Sequence, residues 1–162
     1  MKKAMMLGVA ALLAGGAAHA APTAAVYVAK AGAGDMFETK SSTIVLQTTK
    51  NGGIREFATQ MVTDHAKSTA DVKAAAKESG ITPKPPVLNA EQKATIAKLN
   101  AAHGTARDKL YVSGQKKSHA QALQLQQDYA NGGDKPALKT TAANIVPVVQ
   151  HHIEMLNGMP AM

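Results

Sequence analysis

The chain has 162 residues, 18 lysines and arginines against 11 aspartates and glutamates, a formal net charge of +7, and neither cysteine nor tryptophan. Without cysteine there are no disulfide staples, no thiolate chemistry and no cysteine metal sites, so stability has to come from packing. The lysines are scattered and not massed in one run, which argues against a nucleic-acid partner and leaves a mildly basic surface suited to an anionic envelope partner.

Lys2 and Lys3 form a basic start, Ala4 to Ala18 an apolar run, and Ala18-His19-Ala20 a small-residue cleavage site. This pattern predicts a secretory signal over residues 1–20, cut after Ala20, and a periplasmic location for the mature protein. The apolar run falls short of the about 20 residues that a spanning helix needs, so no transmembrane segment is expected after cleavage. Residues 21–34 are small, glycine-spotted and without a sustained period, and read as a flexible lead-in.

A first helix is expected over 35–50, with Asp35 as its N-cap and Phe37, Ser41, Ile44, Val45 and Thr48 as its inner stripe. Asn51-Gly52-Gly53 breaks the chain. The second helix, 54–79, is the clearest: Ile54, Ala58, Met61, His65, Val72 and Ala76 share one face, Arg55, Lys67, Lys73 and Lys77 lie opposite, and Gly80 ends it. Pro83, Pro85 and Pro86 exclude a helix over 81–88 and favour an extended crossover. Asn89 and Gln92 resemble a capping box for a short helix reaching about Ala101.

The next long helix, 104–130, carries Asp108, Tyr111, Gln115, His119, Ala122 and Gln126 along one line. Asn131-Gly132-Gly133 closes it and echoes the earlier break, a hint of an internal repeat. The last helix, 134–156, has Asp134 as N-cap, Pro136 in its first turn, and Leu138, Thr141, Ile145, Val148, His152 and Met155 facing inward. Pro147 should kink it, and residues 158–162 read as a disordered tail. The expected architecture is all-α, a domain over 35–157 built as a ferritin-like four-helix bundle with a short extra helix in its crossover.

FATQMVTDH at 57–65, Asp108 and Tyr111 as DxxY, His119, and Pro147 followed by His152 together resemble one bacterial exported family, the domain of unknown function four-one-four-two, sometimes labelled an outer-membrane protein. The resemblance covers about residues 35–157. By position Glu38, Asp64, His65, Asp108, Tyr111, His119 and His152 match its polar landmarks. Arg107 stands where the family usually has phenylalanine, and His151 is an additional histidine. The resemblance implies a ferritin-like bundle and an envelope location, and no activity. The outer-membrane label draws no support from the residues, which lack the alternating strands of a barrel.

His65, His119 and His152 each fall on the inner stripe of a different helix. They are expected to meet in one polar cluster with Asp64 or Asp108, with Glu38 and Tyr111 as further members. One reading is a structural network in which each imidazole pairs with a carboxylate or hydroxyl. The other is a site for a divalent metal, since neutral imidazole suits zinc, copper, iron and nickel. No Glu-x-x-His occurs, so a standard di-iron oxidase centre is not expected. Ser68 and Ser118 lie near histidines in sequence but without the geometry of an activated nucleophile. A copper-binding methionine tail at Met155, Met159 and Met162 is weaker than core filling. The preferred expectation is a non-enzymatic binding or structural, stress-related module with no cofactor, and the alternative a metal-binding or metal-dependent redox protein.

Overall fold

The computed structural model describes residues 21–159. The expected signal over 1–20 and residues 160–162 of the expected tail lie outside them. Among the described residues every regular element is a helix: α1 (Ala24–Leu46), α2 (Gly52–Glu78), α3 (Ala90–Ala101), α4 (Gly104–Gly132) and α5 (Pro136–Gly158). None is long and apolar enough to cross a membrane.

The helix ends follow local chemistry. Asn51 caps α2 by accepting a hydrogen bond from the Ile54 amide at 3.1 Å. Its other end is a Schellman turn: Gly80 adopts φ +74°, its amide reaches Lys77 O, and the Ile81 amide reaches Ala76 O. Asn89 and Gln92 form the expected capping box at α3. Pro136 opens α5, and the helix runs on through Pro147, whose ring leaves the Ala143 carbonyl without its usual intrahelical donor.

Four expectations need correcting. Residues 21–34 are not a loose lead-in, because α1 starts at Ala24 and buries Ala24, Tyr27, Val28 and Ala31 at helical spacing. Tyr27 stacks on Tyr129 with ring centroids 4.0 Å apart, and this contact anchors a stretch that Gly32 and Gly34 interrupt. Asp35 is therefore no cap but a buried residue in mid-helix. Asp134 does not cap α5, whose N-cap is Lys135. Its carboxylate instead accepts from the Ala24 amide at 3.1 Å and the Tyr129 hydroxyl at 3.0 Å, capping α1 from a distant part of the chain. Finally, α5 extends to Gly158, and Met159 packs on the core where a disordered tail was expected.

The four long helices pack in a ring, α1 on α2, α2 on α5, α5 on α4 and α4 on α1, with α3 lying against α1 and α4. Two apolar clusters give the directions. One gathers Tyr27 and Ala31 from the start of α1, Val72 and Ala76 from the end of α2, Tyr129 from the end of α4 and Leu138 and Ala142 from the start of α5. The other joins Val45, Ile54, Phe57, Met61, Tyr111 and Leu156 from the opposite ends. Each long helix is thus antiparallel to both ring neighbours, and the crossover over 80–89 with α3 carries the chain back along the molecule from the end of α2 to the start of α4. Gly32 lets that crossover sit close to α1, since a Cβ there would stand 3.4 Å from Pro86 Cβ.

Candidate metal centre

Between the two apolar clusters all four long helices turn polar side chains inward. α1 contributes Asp35, Glu38, Ser41 and Ser42, α2 contributes His65, α4 contributes Gln115 and His119, and α5 contributes His152, all of them buried. The three imidazoles are mutual neighbours, with ring centroids 5.8 Å apart for His65 and His119, 5.7 Å for His65 and His152, and 5.3 Å for His119 and His152. One nitrogen from each lies within 4.8 Å of one from each of the others.

Every ring spends its other nitrogen on an acceptor. His65 Nδ1 meets Asp35 Oδ1 at 2.8 Å, His119 Nδ1 meets the Gln115 carbonyl oxygen at 2.9 Å, and His152 Nε2 meets Asp64 Oδ2 at 2.9 Å. Carboxylates and carbonyls only accept, so each ring must donate there, which places the lone pair of the neutral imidazole on the opposite nitrogen. Those opposite atoms, His65 Nε2, His119 Nε2 and His152 Nδ1, are all buried and have no hydrogen-bond partner. The acceptors are themselves held: the Thr69 hydroxyl donates to Asp35 Oδ2 at 2.9 Å and the Gln60 amide to Asp64 Oδ2 at 3.2 Å.

The titration of the rings reflects this setting. Burial, reinforced by the His65 and His152 charges, pushes the His119 imidazole down to about 3. Burial also lowers His152, with the Asp64 hydrogen bond opposing it. For His65 burial pulls down too, but the Asp35 hydrogen bond and the Glu38, Asp35 and Asp64 charges outweigh it and hold the ring above its ordinary value. Burial raises the Glu38 carboxyl against the opposing pull of His65 and Ser118. Glu38 Oε1 accepts the Ser118 hydroxyl and stands 3.8 Å from His119 Nδ1, while Oε2 is buried without a partner. A cavity of about 860 Å³ reaches the layer, with Glu38, Asp64, His65, Ser118, Val149 and His152 among its walls.

Of the residues singled out from the sequence, His65, His119, His152, Asp64 and Glu38 come together, and Asp108 does not. Asp108 accepts the Thr49 hydroxyl at 3.1 Å near the α1–α2 connection. Its helical line is that of His119, but it lies about three turns away along α4. Tyr111 is one step removed: its hydroxyl pairs with Ser42 at 2.8 Å, and its ring meets Phe57, which in turn packs against His119 and His152. His151 points outward beside Glu154. Arg107, the departure noted above, is buried and ties Ala102 O to the Ile44 carbonyl and Thr48 hydroxyl at the end of α1. Asp35, Gln115 and Ser118 also touch the site, though the sequence pattern does not single them out for it. The spacing of Asp35, Glu38 and Ser42 along one helical face signals the first once α1 is known to run through it.

Residues 10–159 match the family model described as "Domain of unknown function (DUF4142)". The chain belongs to this family. No curated protein matches the DUF4142 chain. Among solved structures it is similar to the crystal structure of a DUF305 fragment from Deinococcus radiodurans, at 14% identity and a TM-score of 0.73, over 86% of this chain and 95% of that one. At that identity the likeness shows a shared helical fold.

Proposed function

We propose that this DUF4142 chain binds a divalent transition metal through His65 Nε2, His119 Nε2 and His152 Nδ1. The observation that carries the reading is the convergence of three histidines whose outward nitrogens are all satisfied and whose inward nitrogens are all buried and orphaned. A purely structural network would pair these atoms with one another or with donors, because each buried unsatisfied group costs about 1–3 kcal/mol. A protonated His65 could satisfy one of the other two rings but not both. Imidazole donors braced by carboxylates and a carbonyl are the usual surroundings of a bound zinc, copper, nickel or iron ion, since the brace fixes the tautomer and raises ligand basicity.

The test is a melting series on metal-free protein. Zinc, copper or nickel at a hundredfold excess over its dissociation constant should add about 2.7 kcal/mol to stability. His65→Ala, His119→Ala and His152→Ala should each abolish most of that gain. Melting temperatures unmoved by every metal would leave only the structural reading.

We further propose a periplasmic location and a ferritin-like four-helix bundle. The antiparallel ring and single long crossover support the bundle. Lys2, Lys3 and the Ala18-His19-Ala20 site support export. Mass spectrometry of the native protein should find Ala21 at the N-terminus, and a retained Met1 in a membrane fraction would end the export proposal.

A further inference from the structure

We infer that a metal at this centre keeps its fourth coordination position for a small exchangeable oxygen-donor ligand, water at rest, and that Glu38 positions that ligand without binding the metal itself. This rests on the metal reading above. Three observations carry it. Among the described residues, no carboxylate joins the three-histidine group, and the chain has no cysteine to do so. Asp35 and Asp64 are already committed to bracing His65 and His152. Four protein ligands close a structural zinc site, whereas three leave a position to water or substrate.

The second observation is Glu38. The Ser118 hydroxyl fixes its Oε1, which leaves Oε2 buried, unpartnered and in the same polar layer. Such an oxygen is suited to the O–H of a ligand already held by the metal. The third is access: one cavity touches Glu38, His65 and His152 together, and its volume is many times the about 30 Å³ that one water occupies. A closed ion site would have no use for that opening.

Cobalt(II) serves as the probe, since its visible absorption reports coordination, with azide as the exogenous ligand. Azide should shift the spectrum of the cobalt-loaded wild-type protein reversibly. Glu38→Gln, of the same size, should keep cobalt bound and move the azide midpoint by about tenfold, a difference of about 1.4 kcal/mol, and an unmoved midpoint would remove Glu38 from the ligand's surroundings. If cobalt binds but azide never moves the spectrum, the open position is refuted and the metal reading survives. If Glu38→Gln weakens cobalt as much as His119→Ala does, Glu38 is itself the fourth ligand and the inference is wrong. If cobalt, like every metal of the melting series, does not bind, both fall. The wild-type azide titration decides the open position even where the glutamine variant fails to fold.

Discussion

Burial and neighbouring histidines hold the His119 ring at about 3, whereas in an unfolded chain it takes its proton near 6.5. Between those values the unfolded state binds the extra proton, so the contribution of His119 is complete above about pH 6.5 and is lost as pH falls toward about 3. His152, also lowered, acts in the same direction. His65, raised, acts in the opposite one: its contribution is present below 6.5 and fades as pH rises through its folded value. The metal-free protein should therefore lose stability on acidification from about pH 6.5, and His119→Gln should flatten that slope. Urea midpoints measured against pH check this, and parallel profiles for the two proteins would contradict it. Asp35→Ala should destabilise the fold by about 3 kcal/mol, because it strands a buried His65. It should also weaken metal binding by about tenfold to a hundredfold through the lost brace, as isothermal titration would show. The three histidines were legible from periodicity, because each falls on the inward line of its helix, apolar on α2 and α5 and shared with Asp108, Gln115 and Gln126 on α4. Asp35 was not legible, since an aspartate after glycines looks the same as a cap until the helix is seen to begin eleven residues earlier.

At the level of single helices, both ends of α2 and the start of α3 lie where their caps dictate; Gly80, Asn89 and Gln92 were readable as boundaries, whereas Asn51 showed only as part of a chain break and not as the cap of α2. The start of α1 was hidden because Gly32 and Gly34 interrupt it and its alanine-rich faces show no clear polar and apolar alternation. The stacked tyrosine and the Asp134 cap that hold it come from residues about a hundred positions away. The same distance in sequence concealed the true role of Asp134. Gly80→Ala tests the Schellman turn. A Cβ there meets open space, so the change costs only the strain of the left-handed angle, about 1 kcal/mol, readable as a small drop in melting temperature.

For the whole molecule, the order of helices and the external crossover followed from the proline run and the glycine breaks, and the height at which the histidines meet could not, since periodicity gives a face and not a level. Removal of residues 21–34 would be harmless if they were a lead-in. As the first half of α1, they supply Ala24, Tyr27, Val28 and Ala31 to the core, so their deletion should abolish cooperative thermal unfolding by circular dichroism. A deletion variant melting within a few degrees of its parent would overturn that assignment. The polar layer across the middle of the core has one more effect. Faces of alanine, valine and leucine can slide past one another at little cost, because one small alkyl group replaces another. Here a helix displaced by a single turn, about 5.4 Å, would drive imidazoles and carboxylates into the hydrocarbon on either side and strand their partners. The layer works as a keyway, and it leaves the four long helices a single height at which they can interlock.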